Sequence, residues 1–238
     1  MISRKLEYTV DGLPFVGLLA YDETRPDKRP GILVCHDGAG LGEHTRERTL
    51  ALAQWGHVAF ALDLFGAPFE SRAQGMAVIT GLVQNPPLLR KRAHTALELL
   101  KDQPGVEPSR TAAVGFCLGG TVALELARGG AELCCAVSFH GGLKTLAPAE
   151  PGAVKCKVLV CTGAEDPHVP REQRAAFEDE MRHAQADWQL ILYAHAQHAF
   201  THRGVDPVKS PGSAYHRLTD ERSWRAMRAL FDETLGVP

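Results

Sequence analysis

The run Val114-Gly115-Phe116-Cys117-Leu118-Gly119-Gly120 places a thiol between glycines, where an apolar segment ends and a segment of helical period begins. A side chain lifted clear of a sharp strand-to-helix turn forces its own residue into an unfavourable backbone region and crowds the positions two before and two after it. Gly115 and Gly119 occupy those positions, so G-x-C-x-G reads as a nucleophile elbow with sulfur in place of oxygen. A thiolate at a helix N-terminus gains from the helix dipole and from unpaired N–H groups, which lowers its pKa and raises its reactivity. The same residues also suit a buried structural cysteine in a glycine-rich strand exit, or a turn that binds phosphate at that helix.

Acyl transfer by a thiol needs a base within hydrogen-bond reach and an acid that orients the base. In an elbow fold the acid and then the base follow the nucleophile, each in a loop after a later strand. Asp166 follows VLVCTGAE and His198 follows LILYAHAQ, so both stand in the expected loops in the expected order. The bland readings are a turn residue at Asp166-Pro167 and one surface histidine among the 11 of the chain. Agreement of order and position favours the triad Cys117, Asp166 and His198. Charge developing on a carbonyl oxygen also needs donors. The backbone N–H of Leu118 is one candidate, and that of Gly38, in HDGAGLGEH after the strand GILVCHD, is the other. Asp37-Gly38 would equally make a tight turn.

Such a set needs strands that end at one edge and helices that return the chain. Apolar runs bounded by turn residues alternate here with helical segments, which predicts an α/β fold: a mostly parallel central sheet flanked by helices on both faces. Segments 4–10 and 14–21 read as an edge hairpin through Asp11-Gly12. Strands are expected at 31–37, 57–66, 111–116, 134–141, 155–163 and 188–196. Helices are expected at about 44–55, 86–102, 118–128, 171–186 and 213–235, the last with Trp224, Met227, Leu230, Phe231 and Leu235 on its buried face. Ligands of such sheets bind beyond the carboxyl ends of the strands, where the candidate residues stand.

With 238 residues and no repeat or linker, one domain over 1–238 is expected. The composition, 45% hydrophobic and 23% charged with net charge -2, offers no field for nucleic acid or an anionic membrane. The first residues, MISRKLEYTVDGLPFVGLLA, are interrupted by Glu7, Thr9, Asp11 and Pro14 and do not read as a secretion signal. Nothing elsewhere approaches the roughly 20 apolar residues of a membrane span. Cysteines 35, 117, 134, 135, 156 and 161 lie mostly in apolar runs rather than in a dense disulfide framework, so they read as reduced thiols in a cytoplasm.

Set side by side, HDGAGL, GFCLGG, FHGG, EDPHVP and HAF resemble the dienelactone hydrolase family of α/β-hydrolases, over about residues 4 to 235. The resemblance implies the α/β-hydrolase fold, with Cys117 as nucleophile, Asp166 as orienting acid, His198 as base, and Gly38 and Leu118 as oxyanion donors. Well-studied members carry a glutamate near the thiol where Asp37 stands, which helps control its protonation; Asp37 is one methylene shorter. They also carry an arginine four residues past the base, which holds a substrate carboxylate. Here that position is His202, with Arg203 next to it, and a neutral imidazole lacks the fork of a guanidinium. Their tyrosine after the next strand is His140. These departures fall on residues that choose a substrate. Arg72, expected in the loop after LDLFG, and Arg90 or Arg92 from LLRKRAH are candidates for an anion contact, or else solvated charge.

The expected chemistry is attack of Cys117 on an ester or lactone, or on a thioester, through an acyl-enzyme and without a cofactor. The expected partner is a small molecule, and the expected state a monomer or small homo-oligomer. A zinc hydrolase is one rival, with His195, His198 and His202 joined by His183, His168 or Asp37. A hydrolase-like scaffold that binds a small molecule without turning it over is the other.

Overall fold

A computed structural model of the chain describes residues 1–236. β1 (Ile2–Val10) and β2 (Leu13–Tyr21) form the antiparallel edge hairpin expected from Asp11-Gly12. Both turn residues have positive φ, 52° and 77°, the primed geometry that matches the twist of the flanking strands. There follow β3 (Arg29–Cys35), α1 (Glu43–Gln54), β4 (Val58–Ala61), α2 (Arg72–Val83), α3 (Pro86–Lys101) and β5 (Val106–Phe116). The second half runs α4 (Leu118–Arg128), β6 (Cys135–Phe139), β7 (Lys157–Gly163), α5 (Arg171–His183), β8 (Trp188–Tyr193) and α6 (Arg217–Thr234).

The sheet has 8 strands in the order β1-β2-β4-β3-β5-β6-β7-β8. β2 pairs antiparallel with β4, and every pairing from β4 to β8 is parallel. Strands of this kind must be apolar on both faces. In β3, Ile32 and Val34 pack with α1 and α6, while Leu33 and Cys35 pack with α3 and α4; in β7, Leu159 and Cys161 alternate in the same way with Val158 and Val160. The cysteines follow this pattern. Cys35, Cys135, Cys156 and Cys161 are free and buried, acting as small hydrophobes.

One helix and several boundaries differ from the sequence reading, with β4 ending at Ala61 rather than at 66 and β5 starting at Val106 rather than at 111. The helix α2 was not expected; its sequence RAQGMAVITGLV carries Gly75 and Gly81 and is mostly exposed, so it lacks a clear buried stripe. Arg72 is therefore the first residue of a helix rather than part of a loop. β8 stops at Tyr193 rather than at 196, and α6 begins at Arg217 rather than at 213. Both differences come from the loop around His198, which bridges to Ser213 and accepts the His216 N–H on Phe200 O. Among the described residues no helix is long and apolar enough to cross a membrane.

Candidate active site

Cys117 ends β5 and caps α4, with φ 53° and ψ -116°. For a residue bearing a Cβ this conformation costs on the order of 1–3 kcal/mol, so the surroundings must impose it. They do so through backbone contact. A Cβ on Gly115 would lie 1.8 Å from Gly119 O, and one on Gly119 would lie 1.9 Å from Cys35 O. No other residue fits at either position. The second contact also brings the end of β3, and with it the loop from His36 to Gly42, against the start of α4.

The sulfur of Cys117, which is partly exposed, lies 3.1 Å from His198 Nε2, and His198 Nδ1 lies 2.9 Å from Asp166 Oδ2. Two loops make this possible. Asp166 follows β7, its Oδ1 accepting the His168 N–H. His198 follows β8, and the Glu165 N–H donates to Ala196 O, tying the two loops together. Burial works against a charged ring at His198, but the hydrogen bonds to Asp166 and Cys117 outweigh it and push its pKa up to about 10. The ring thus holds its proton in the neutral range, between a carboxylate and a sulfur able to carry negative charge.

Leu118 is the first residue of α4, so its N–H has no acceptor within the helix. In the loop after β3, the Ala39 N–H donates to Asp37 Oδ1 and the Gly40 N–H to Asp37 O. The Gly38 N–H has no acceptor among the described residues. Two uncommitted N–H groups therefore flank the elbow. Beside them, Ala39, Leu41, Phe65 and Phe69 help to line a mostly apolar hollow of about 580 Å³.

The remaining candidates make contacts of their own. Asp37 turns to His44, with Oδ2 3.1 Å from Nδ1. Burial alone would raise its carboxyl, but the His44 and Ala39 hydrogen bonds hold it below the usual value. His140 is buried, and its Nδ1 accepts the Cys117 N–H at 3.1 Å. His202 packs edge-on against His44 with ring centroids 4.7 Å apart, and Arg203 lies 5.9 Å above the Tyr215 ring. Arg72 reaches Lys209 O. Arg90 pairs with Glu125 and reaches Ala147 O, while Arg92 reaches Leu64 O and covers Phe15. These two guanidinium groups join elements together rather than standing free for an anion.

The histidines named for zinc do not converge. His195 faces Glu165, His198 faces Asp166 and Cys117, and His202 faces His44. Among the described residues, the group compact enough for a metal is Asp37, His44 and His202, which shares Asp37 and His202 with the expected set and adds His44, both of whose ring nitrogens are already hydrogen-bonded. Sequence reading passed over His44, Thr201 and Arg48. His44 stood within the quoted HDGAGLGEH and Thr201 within HAFTH, but their mutual contact joins the start of α1 to a loop 157 residues away.

The chain resembles known proteins over nearly its whole length. The sequence profile of the dienelactone hydrolase family matches residues 15–235. A structure named m3DLH is 43% identical with a TM-score of 0.92, covering 98% of each chain. The crystal structure of P91, described as a dienelactone hydrolase-like promiscuous phosphotriesterase from metagenomic libraries, is 38% identical with a TM-score of 0.88, again over 98% of each chain. A Yersinia pestis protein provisionally named carboxymethylenebutenolidase is 27% identical over 88% of this chain and 81% of its own.

Proposed function

Since this chain belongs to the dienelactone hydrolase family of α/β-hydrolases, we propose that it cleaves an ester or lactone bond of a small molecule through Cys117. The observation that carries the reading is the contact of His198 with both the Cys117 sulfur and Asp166, at 3.1 and 2.9 Å, in a loop order that suits acyl transfer. The Cys117 thiolate adds to the carbonyl carbon, and the N–H groups of Gly38 and Leu118 hold the resulting oxyanion. Loss of one such donor typically costs about 3 kcal/mol of transition-state stabilisation.

Collapse of the adduct breaks the bond to the leaving oxygen, which takes the proton of His198, and an acyl-cysteine remains. Neutral His198 then draws a proton from water, whose oxygen adds to the acyl carbon. The second collapse breaks the C–S bond and releases the acid, leaving the thiolate beside the ring that kept the proton taken from water, which restores the thiolate–imidazolium pair. Asp166 keeps the Nδ1–H tautomer and stabilises the charged ring. The apolar hollow beside Ala39 suits an uncharged part of the substrate, and six free cysteines suit a reducing cytoplasm.

The test is a panel of activated esters, lactones and thioesters, with a phosphotriester added because the P91 relative is so described. It is run on wild type and on Cys117→Ala. Turnover of at least one ester or lactone that vanishes in Cys117→Ala supports the reading. Equal turnover by both proteins refutes it.

A further inference from the structure

A second chain of hydrogen bonds reaches the elbow at the backbone N–H of Cys117. Asp37 Oδ2 lies 3.1 Å from His44 Nδ1, His44 Nε2 lies 3.2 Å from Thr201 Oγ1, Thr201 Oγ1 lies 2.8 Å from His140 Nε2, and His140 Nδ1 lies 3.1 Å from the Cys117 nitrogen. Its two ends fix its direction. A backbone N–H only donates, so His140 Nδ1 accepts and its proton sits on Nε2; an ionised carboxylate only accepts, so His44 carries its proton on Nδ1. The Thr201 hydroxyl then accepts from His140 and donates to His44 Nε2. Every link is satisfied in this one arrangement. Arg48 Nε, 3.4 Å from His44 Nε2, also requires an acceptor there.

Asp37, His44 and Thr201 repeat the carboxylate, imidazole and nucleophile order of the candidate triad. Yet Thr201 has no exposed surface, so no substrate reaches its hydroxyl, and the chain ends instead on the main chain of Cys117. That end is where support is needed. Cys117 and His140 both hold positive φ, 53° and 42°, and the Cys117 N–H is shared between Phe139 O at 3.0 Å and His140 Nδ1. Burial, with His198, His44 and Arg48 close by, holds the His140 pKa well below its usual value, so the ring stays a neutral acceptor. Arg48 clamps the outer links, donating to Thr201 O at 2.6 Å and to both Asp220 carboxylate oxygens at 2.8 Å.

We infer that Asp37, His44, Thr201 and His140 form a positioning relay that fixes the His140 tautomer and, through it, holds the Cys117 backbone in its strained turn. The inference rests on Cys117 being the nucleophile. It also gives joint work to Asp37 and His140, both sites of departure from the family pattern.

The test uses Thr201→Val, which keeps the shape of the side chain and removes the hydroxyl, and Thr201→Ser, which restores it. Misplacement of a reacting group by a distant change costs up to about 100-fold, and Thr201→Val is expected to lower kcat 10- to 100-fold with KM nearly unchanged. Thr201→Ser is expected to recover most of the loss. His44→Phe breaks the next link outward and serves if Thr201→Val does not fold; the same split is expected.

Nitrogen NMR of histidine-labelled Cys117→Ala protein reads the relay without turnover. The Nε2–H form of His140 is expected there, with a shift of its Nε2 resonance when Thr201→Val removes the acceptor of that proton. An Nδ1–H form in the parent, unchanged kcat in both Thr201→Val and His44→Phe, or a Thr201→Ser loss equal to that of Thr201→Val would overturn the relay. Failure of the nucleophile assignment looks different: Cys117→Ala would keep its turnover.

Discussion

At the scale of single residues, environment separates one cysteine from its siblings. Burial pushes the thiols of Cys135, Cys156 and Cys161 up to about 12, so these remain protonated at neutral pH and serve only to pack. Cys117 instead meets a ring whose pKa stands at about 10 rather than 6.5. That difference links to stability. Because the folded value lies above the unfolded one, the contribution of the charged ring is fully present below pH 6.5 and is lost as pH climbs through about 10. Wild type is therefore expected to outlast His198→Gln in thermal unfolding at pH 6, with the margin shrinking as pH rises and closing above pH 10 or so. Melting temperatures of the two proteins across that range check this; a margin that grows with pH would refute the charged-ring assignment.

At the scale of elements, the turn between β5 and α4 holds the site together by backbone contact. A methyl group at position 119 would run into Cys35 O at 1.9 Å, and main chain on both sides cannot rotate away. Gly119→Ala is expected to cost about 3 kcal/mol or more, seen as a lower denaturant midpoint, together with loss of turnover in whatever folds. This need was legible in the sequence, because a turn that presents a side chain so sharply leaves its mark in two glycines. Strand-helix alternation was legible for a similar reason: both faces of the sheet are buried, so β3, β5, β6 and β7 read as continuous apolar runs. α2 was not legible, since its exposed, glycine-bearing sequence has little to bury. Nor was the contact of His44 with Thr201, because spacing within a segment carries no information about partners on remote loops. The start of α6 was missed because the segment before it binds back to the His198 loop instead of continuing the helix.

At the scale of the whole molecule, Arg90 takes part in a buried ion-pair network that joins α3, α4 and α5. Arg128, almost wholly buried, donates to both Glu180 oxygens at 2.8 Å, to Glu125 at 3.1 Å and to Leu143 O at 2.7 Å, while Arg90 holds the other Glu125 oxygen at 2.8 Å. Removing one member leaves buried charge without a partner, at a cost of about 3–5 kcal/mol. Arg128→Leu is expected to lose stability on that scale in urea unfolding, while kcat per folded molecule stays at the wild-type value; a fall in kcat with intact stability would place the network in the site instead. The catalytic proposal itself concerns one covalent bond within this assembly. Intact-protein and peptide mass spectrometry after rapid acid quench of wild type with an activated ester reads that bond most directly. An acyl group carried on the Cys117 peptide within the first turnover is the predicted result, and steady turnover with Cys117 unmodified at every quench time would contradict it.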